Sequence, residues 1–520
     1  MVFRSPYPDV EVPDVSLHGL LFADLGERAD RVALVDGTSG ASLTYAQLAG
    51  AVDRLAAALA ARGIGKGDVV GLLSPNTPYY AVVFHGILRA GATATTINAL
   101  YTADEVAHQL ADAGAKMLFT VSALLPNAAP GAAKAGVSDV VLLDGAEGYP
   151  SLAELLANDH PVPSVEIDPA EDVAVLPYSS GTTGRAKGVM LTHRNLVANI
   201  VQCNAMFHVD GSTRVLAVLP FFHIYGMQVL MNNGLQVGAT VVTMPRFDLP
   251  EFLRVIQDHR TNRVYIAPPI AVALAKHPIV DQYDLSALDG IFSGAAPLDE
   301  ELADIVAKRL NCRVSQGYGM TEMSPVSHAI PDERDDIPVG TVGLILPSME
   351  NRIVDPATGE DVGAGERGEL WCRGPNVMKG YLNNPEATAA TLDADGWLHT
   401  GDVAVIDERG LVTIVDRVKE LIKYKGYQVP PAELEAVLLT HPEIADAAVV
   451  GVRDAEGEEV PKAFVVRQPR SALDEAGVME FVASQVAPHK KVRVVEFIEA
   501  IPKSAAGKIL RKDLRARENA

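Results

Sequence analysis

The sequence predicts an α/β protein: a large N-terminal domain built on doubly wound sheets, with a β-rich subdomain, followed by a small α+β C-terminal domain. Helix-like and strand-like segments alternate with short turns through the first half, which is typical of parallel sheets covered by helices. The texture of the sequence then changes at about Gly340 and again after Asp416. With 520 residues, 48% of them hydrophobic and 21% charged, the chain is long and apolar enough for several globular domains.

The alternating region begins with an Ala- and Leu-rich segment, Tyr45–Arg62, whose apolar residues recur at helical spacing and whose N-cap is expected at Thr44. After it, the same reasoning predicts strands at Val69–Leu73, Ala92–Ile97 and Lys116–Val121, and helices at Pro78–Ala90 and Asp104–Ala113. Further strands are expected at Val173–Leu176, Arg214–Phe221, Thr240–Met244 and Val264–Ala267.

Glycines and turn residues become frequent from about residue 340, with short strands between them such as Asn351–Val354 and Gly368–Arg373. Two more strands, Val403–Ile406 and Leu411–Val415, flank a turn that ends in Gly410 and indicate a hairpin. We therefore expect a β-rich subdomain, similar to a distorted barrel, over about 340–416.

The end of the chain is expected to form a small α+β unit. Its predicted elements are helices at Ala432–Leu439 and Val478–Gln485 and strands at Ala447–Val452 and Lys462–Val466. We place the boundary at Asp416–Arg417, which divides the chain into residues 1–416 and 417–520.

Composition and charge exclude several classes of function. The formal net charge is -22, from 44 Lys and Arg against 66 Asp and Glu, which argues against nucleic-acid binding and docking on an anionic membrane. Cys203, Cys312 and Cys372 are isolated, so neither a disulfide scaffold nor a cysteine-based zinc site is expected. Because no apolar run is long enough for a membrane span or typical of a secretion signal, the expectation is a soluble cytoplasmic protein.

The loop Tyr178–Val189 carries the first chemical signal. Its run of glycines and hydroxyl residues leaves backbone N–H groups free to donate to phosphate oxygens, and Lys187 adds a positive charge. The loop lacks the Gly-Lys-Ser/Thr of a Walker A motif. Its composition alone is equally typical of a surface linker, but the whole string resembles the phosphate loop of the acyl-adenylate-forming superfamily.

Six further segments match motifs of that superfamily in the same order. They are Pro220–Gly226, Ser293–Pro297, Gln316–Glu322, Trp397–Asp402, Asp416–Gln428 and Pro502–Arg511. Each segment alone is also compatible with an ordinary turn, and the order of all seven carries the resemblance. The chain is therefore identified as a member of the superfamily, most similar to 4-coumarate–CoA ligases and bacterial acyl-CoA synthetases.

The resemblance implies a role for each matching residue. The catalytic residues would be Lys508, His223 and Glu322, with Thr182 and Glu322 at Mg²⁺ and Asp416 as the hinge of a mobile C-terminal domain. ATP or AMP would be bound by Ser179, Ser180, Gly181, Thr182, Thr183, Lys187, Gly294, Ala295, Gln316, Gly317, Tyr318, Thr321, Asp402, Arg417, Lys419 and Gln428. Coenzyme A would contact Lys423, Lys425 and Gly426. The acid pocket would be lined by Tyr225, Met227, Phe292, Gly294, Gly317, Met320, Pro325 and Val326.

The implied function is ATP-dependent carboxylic acid–CoA ligation through an acyl-adenylate, followed by attack of the CoA thiol. The apolar and aromatic pocket favours an aryl acid such as a hydroxycinnamate, with medium- or long-chain fatty acids as the alternative. Phe292 stands where plant enzymes for hydroxycinnamates carry a lysine, so strict phenylpropanoid specificity is not implied. A luciferase-like oxygenase and an adenylating module that loads a carrier protein remain alternatives of another class. The implied partners are the acid, ATP and CoA, and the chain is expected to be a monomer or homodimer.

Overall fold

A computed structural model describes residues 1–179, 186–424, 427–454, 459–504 and 507–518 of the chain. Within these ranges the N-terminal part contains two large sheets that share one hydrophobic core with the helices between them. The predicted α/β fold class is confirmed. No helix in the described ranges is long and apolar enough to cross a membrane.

The first sheet is mainly parallel at its centre and antiparallel at one side. Across the sheet its strands run in the order Gly380–Tyr381, Lys187–Thr192, Val173–Val175, Thr93–Thr96, Val69–Leu73, Ala115–Thr120 and Asp139–Leu142, with Tyr178–Ser179 also paired to Lys187–Thr192. Strands from distant parts of the chain therefore meet at the side that carries both ends of the segment Tyr178–Val189.

The second sheet has a parallel centre with antiparallel strands at both ends. Its order is Leu344–Ile345, Val326–Ala329, Arg313–Gly319, Gly290–Ser293, Arg263–Ile266, Arg214–Ala217, Thr240–Thr243, Val32–Asp36 and Ser42–Thr44. The strand expected over Arg214–Phe221 ends early, at Ala217. Beyond it the Asn76 side chain replaces a strand partner, donating to the carbonyls of Ala217 and Leu219 and accepting from the Phe221 N–H.

Helices cover these sheets. Those of the N-terminal part are Leu17–Phe22, Tyr45–Ala61, Pro78–Arg89, Ala103–Ala113, Leu125–Lys134, Leu152–Leu156, His193–Asn204, Asn233–Gln236, Leu249–His259, Pro268–Lys276, Glu300–Leu310 and Pro385–Thr391, with a π-helix at Tyr225–Asn232. Single 3₁₀ turns lie at Gly26–Arg28, Ser122–Leu124, Pro278–Gln282 and Thr321–Met323. Thr44 caps Tyr45–Ala61, as the sequence predicts, and also forms a capping box with Gln47.

The β-rich region forms an antiparallel sheet. Its strands are Phe3–Arg4, Glu350–Val354, Gly368–Arg373, Leu398–Ile406 and Val412–Arg417. The last two form the expected hairpin and place Asp402 opposite Arg417. This register matters for the site, because it joins the end of one motif to the start of the next.

The C-terminal part has its own clusters of buried apolar residues. Its strands are Ile422–Tyr424 with Tyr427–Val429, and Ile444–Arg453 with Glu459–Arg467 and Val494–Phe497. Its helices are Pro431–Thr440, Glu475–Gln485 and Arg511–Glu518, with a 3₁₀ turn at Pro488–Lys490. The short connections and the mixed pairing agree with the α+β architecture that the sequence predicts.

Candidate active site

The phosphate-loop motif is described only at its two ends. Ser180, Gly181, Thr182 and Thr183 lie outside the described residues. Before the gap, the Ser179 hydroxyl donates to Glu322 Oε1 at 3.1 Å. After it, the Lys187 ammonium lies 4.1 Å from the centre of the Tyr381 ring. The strand pairing thus brings both ends of the motif to one carboxylate and one aromatic ring.

Glu322 is a buried carboxylate held from two sides. It lies in the 3₁₀ turn Thr321–Met323, and its Oε1 accepts from the Tyr381 hydroxyl at 2.8 Å as well as from Ser179. Burial and the neighbouring Glu322 charge raise the pKa of Tyr381, so this hydroxyl remains a donor. None of the seven motifs includes Tyr381, whose position depends on pairing between strands almost two hundred residues apart.

Asp402 lies close to Tyr318 and Arg417. The carboxylate is buried and accepts a hydrogen bond from the Tyr318 hydroxyl, and its Oδ1 lies 3.4 Å from Arg417 Nε. Burial raises the pKa of Asp402, while Arg417 and the Tyr318 hydrogen bond oppose the shift. An aromatic ring, a carboxylate and a guanidinium from three separate motifs therefore meet at one point.

Lys508 points toward the same point from the C-terminal part. Burial, and to a lesser extent Arg417, lower its pKa to about 8, while Asp402 and Glu322 act in the opposite direction. Its loop is held by two hydrogen bonds between Ser504 and Lys508. The two carboxylates do not fully offset the effect of burial on this ammonium. An anionic ligand beside it would therefore be stabilised.

His223 is neutral at pH 7. Burial, with a further effect of Lys508, lowers its pKa to about 4. Its Nδ1 accepts the Tyr225 N–H at 3.3 Å, which places the ring proton on Nε2. The residue can therefore donate one hydrogen bond without adding charge.

The π-helix Tyr225–Asn232 begins two residues after His223 and carries two of the predicted pocket residues, Tyr225 and Met227, both buried. Gly226 allows this helix to approach the Pro220 carbonyl closely, since a Cβ on residue 226 would lie 2.1 Å from the carbonyl oxygen. π-Helices are rare and are frequently found at functional sites. Sequence periodicity did not predict this one.

Phe292, a predicted residue of the acid pocket, packs in a cluster of aromatic rings. Its ring centre is 5.1 Å from that of Phe207 and 5.9 Å from that of Tyr265, two residues that the motifs did not identify. A Cβ on Gly294 would lie 2.9 Å from the Tyr225 ring, and one on Gly317 would lie 2.6 Å from the tip of Phe292. The two glycines thus allow the Tyr225 and Phe292 rings to pack directly against the backbone. The remaining predicted pocket residues are Met320, which is half-buried, and Pro325 and Val326, which are buried.

Two predicted nucleotide-binding residues shape a loop. The Gln316 side chain accepts from Leu298 N–H and donates to the carbonyls of Leu298 and Val339, so its amide is already occupied. Ala295 has a φ of 70°, which turns the backbone before helix Glu300–Leu310. Their nucleotide contact remains a prediction, since both residues have a structural role in the loop.

The segment after Asp416 holds the remaining predicted residues. The Asp416 carboxylate accepts from the N–H groups of Arg417 and Ala432, which joins the proposed hinge to helix Pro431–Thr440. Lys419 and Lys423 are exposed, and Gln428 lies opposite Lys423 in the strand pair. Lys425 and Gly426 lie outside the described residues.

Two family models match the chain. The model described as AMP-binding enzyme covers residues 21–382, and the AMP-binding enzyme C-terminal domain covers residues 433–508. The chain belongs to the AMP-binding enzyme family. The resemblance expected from the seven motifs is thereby confirmed.

Full-length relatives of this AMP-binding enzyme carry CoA ligase names. 4-Coumarate–CoA ligase 5 from Oryza sativa subsp. japonica and 4-coumarate–CoA ligase 2 from Nicotiana tabacum are each 44% identical to it, over 99% of this chain and 97% of their own length.

Solved structures show the same fold. ATP-bound MatB from Rhodopseudomonas palustris matches with a TM-score of 0.89 at 31% identity, over 97% of this chain and 99% of that one. Apo MatB from the same organism matches over the same shares with a TM-score of 0.79. An anthranilate CoA ligase in complex with anthranoyl-AMP gives 0.90 at 27% identity, over 98% of both chains. The arrangement of this chain is closer to the ATP-bound than to the apo form of MatB.

Proposed function

We propose that this AMP-binding enzyme is an ATP-dependent carboxylic acid–CoA ligase that activates aryl acids as acyl-adenylates and transfers them to CoA. The observation that carries the proposal is that Asp402, Glu322 and His223, which come from three motifs, each lie within electrostatic reach of Lys508 in a fourth. Their combination of one cation, two carboxylates and a neutral donor suits a bound nucleotide and an acid.

In the first half-reaction, the acid attacks the α-phosphate and pyrophosphate leaves. Charge grows on the phosphate oxygens, and fixed cations and donors stabilise it. Lys508 would bind both the acid and the α-phosphate, and Ser179–Thr183, Lys187 and Thr321 would hold the phosphates. Asp402 and Arg417 would hold the ribose hydroxyls while Tyr318 stacks on adenine, in a loop where Gly294, Ala295, Gln316 and Gly317 let the base approach the backbone.

The residues present fit Mg²⁺. Glu322 offers a buried carboxylate whose Oε2 is not among the atoms engaged by Tyr381 and Ser179. A hard cation prefers carboxylate oxygens together with substrate phosphates. Glu322, with Thr182, would hold the ion, which would neutralise charge on the triphosphate. His223 would separate the nucleotide from the acid pocket and donate to the reacting oxygens from Nε2.

In the second half-reaction, the CoA thiol attacks the acyl-adenylate and AMP leaves. We assign residues 417–520 to a domain that turns about Asp416 between the two steps, withdrawing Lys508. Lys423, Lys425 and Gly426 would then approach CoA, whose phosphates need cations. Lys419 and Gln428 would contact the nucleotide from the same segment. Such a movement gates one site for two reactions.

The pocket favours an aryl acid. Phe207, Tyr265 and Phe292 pack together and would form its floor, and the Tyr225 ring packs against Gly294. Relatives named for 4-coumarate, anthranilate and benzoate support a planar ring as the substrate group. A medium- or long-chain fatty acid is the alternative, because the walls Met227, Met320 and Val326 are aliphatic. ATP, CoA and the acid are the only binding partners that the proposal requires.

The test is acid-dependent release of AMP and pyrophosphate over a panel of carboxylic acids, with products identified by mass. We expect acyl-CoA from 4-coumarate, cinnamate and benzoate, and much less from octanoate. If AMP is released but no acid of the panel gives acyl-CoA, the proposal is contradicted and another acceptor is indicated. Oxygen, a carrier protein and an amine would then be tested in turn, the last because an amide bond synthetase from Marinactinospora thermotolerans shares the fold.

A further inference from the structure

Helix Pro268–Lys276 touches the C-terminal part of the chain at both of its ends. It follows strand Arg263–Ile266 in the second sheet, and none of the seven motifs includes it. A helix of this length spans about 13 Å. Two contacts at that separation restrict the rotation of the C-terminal part more than a single contact would.

The C-terminal end of this helix carries Lys276. Its ammonium donates to the Leu439 carbonyl at 3.2 Å and to the Ile444 carbonyl at 3.1 Å. Leu439 lies in the last turn of helix Pro431–Thr440, where carbonyls have no partner within the helix and where the helix dipole favours a cation. Lys276 therefore makes a directed contact with the opposing domain.

The N-terminal end of the helix lies against the loop of the catalytic lysine. A Cβ on Gly507 would lie 3.0 Å from Ala267 Cβ and within 4 Å of Pro269. Gly507 has a φ of 83°, so glycine is favoured there both by the backbone and by this close approach. Lys508 follows directly.

We propose that Lys276 is a positioning residue that holds the small domain in the orientation that adenylates. It acts through Lys508, because the helix that presents Lys276 also sets the distance between the Gly507–Lys508 loop and the second sheet. The inference rests on the two-step function proposed above. In the orientation that serves CoA, the two carbonyls would move away from Lys276.

The consequence is an opposite effect on the two half-reactions. Without the Lys276 contact, the adenylating orientation loses stability relative to the other, and the population carrying Lys508 in the site falls. A residue that only supports folding would lower both half-reactions together. The ratio of the two rates is therefore the diagnostic quantity.

The test compares Lys276→Met, which keeps the apolar stem but loses the donors, with Lys276→Arg, which keeps both. Adenylation is measured as acid-dependent exchange of pyrophosphate into ATP, and thioester formation is measured from supplied acyl-AMP and CoA. For Lys276→Met we expect adenylation to fall about three- to tenfold, with thioester formation unchanged or faster. Lys276→Arg should stay near wild type. Lys308→Met removes a matched lysine from the last turn of helix Glu300–Leu310 and should change neither rate.

A second measurement does not depend on turnover. Dyes on cysteines introduced at the exposed Ile305 and Val494 would report the distance between the two domains in the ATP-bound enzyme. We expect Lys276→Met to broaden or shift the distance distribution and Lys276→Arg to preserve it. An unchanged distribution, or equal changes in both half-reactions, would overturn the proposal. If the wild-type enzyme showed no pyrophosphate exchange with any acid of the panel, that result would contradict the proposed function instead. The distance measurement would still decide the role of Lys276.

Discussion

Lys508 holds a positive charge in a position that disfavours it. Burial and Arg417 lower its pKa, while Asp402 and Glu322 limit the fall, so the ammonium remains charged at neutral pH with little margin. An incoming α-phosphate would add negative charge beside it and stabilise the protonated form. The buried ammonium therefore favours binding of an anion and lowers the stability of the site when it is empty.

Lys508→Ala separates the two half-reactions. We expect a loss of at least 100-fold in acid-dependent pyrophosphate exchange, because a fixed transition-state cation is typically worth this much, while supplied acyl-AMP still reacts with CoA. Lys512→Ala changes an exposed lysine four residues away and serves as the control. Equal loss of both half-reactions would mean that Lys508 is structural.

The pH profile of adenylation should report the same group. Since the pKa of Lys508 in the free enzyme is lowered to about 8, kcat/KM for adenylation should fall as the pH rises through 8. Lys508→Arg keeps its charge at higher pH, so any residual adenylation should lose this falling limb. Profiles measured between pH 6 and 10 that coincide for the two enzymes would contradict the assignment.

At the scale of single residues, local patterns predicted the motif residues but not their supports. Lys508, Asp402 and Glu322 belong to strings that can be found by reading along the chain. Tyr381 meets Glu322 only because Gly380–Tyr381 pairs with Lys187–Thr192. Phe207 and Tyr265 likewise reach Phe292 through tertiary packing. No spacing in the sequence encodes these contacts.

At the scale of elements, the predictions are accurate where the element's own side chains determine it. Helix Tyr45–Ala61 ends within one residue of its prediction, since its cap and its closing glycine are local. The strand from Arg214 ends four residues early, since the distant Asn76 takes over its backbone partners. The π-helix after His223 was not predicted, because its apolar pattern also fits an α-helix.

The C-terminal helix Arg511–Glu518 is anchored by a buried ion pair. Arg511 makes two hydrogen bonds to Glu435, at 2.7 and 2.8 Å, and Glu435 also accepts the Val449 N–H. Both charged side chains are almost fully buried. The pair connects the end of the Lys508 loop to helix Pro431–Thr440 and strand Ile444–Arg453.

Arg511→Met should destabilise the C-terminal domain by about 3–5 kcal/mol, because it leaves the Glu435 carboxylate buried without its cation. Adding Glu435→Gln should restore much of this loss, since a neutral amide can still accept from Val449. Hydrogen exchange of the amides in Ile444–Arg453 measures both effects. Faster exchange in the single variant that the second change fails to slow would contradict the ion-pair argument.

At the scale of the whole molecule, charge is unevenly divided. Residues 417–520 hold 17 Lys and Arg against 16 Asp and Glu, whereas the whole chain holds 44 against 66. The excess negative charge therefore belongs to the large N-terminal part, and the segment assigned to the moving domain is close to neutral. Movement of a nearly neutral body across an acidic one encounters little long-range electrostatic resistance.

Stability should depend on pH through buried histidines. His85 is fully buried, and its ring packs edge-on against Phe22 and Phe84. Burial lowers its pKa to about 3. As the pH falls below about 6.5, His85 is protonated in the unfolded chain but stays neutral in the folded chain. Its contribution to the free energy of unfolding is therefore full above pH 6.5 and is lost as the pH falls toward 3.

His85→Leu removes the contribution of His85 to this pH dependence and leaves that of the other buried histidines, such as His193 and His328. Between pH 7.5 and pH 5, the free energy of unfolding of the variant should rise by about 2 kcal/mol relative to that of wild type. The reason is that wild type alone loses stability as His85 is protonated in its unfolded chain. Urea unfolding at both pH values measures the change. A wild-type-to-variant difference that stays constant between the two pH values would show that His85 does not titrate between them on unfolding.

The second sheet takes its edge from the beginning of the chain. Val32–Asp36 lies between Ser42–Thr44 and Thr240–Thr243, and Asp36 is in register with Thr243. On a ribosome, at roughly 5–20 residues per second, about 200 residues and therefore about 10–40 s separate the emergence of these partners. The apolar strand must remain unpaired on that side for the whole interval. A nascent chain arrested before Thr240 would expose an open strand edge, a known route to aggregation and a reason for chaperones to bind early.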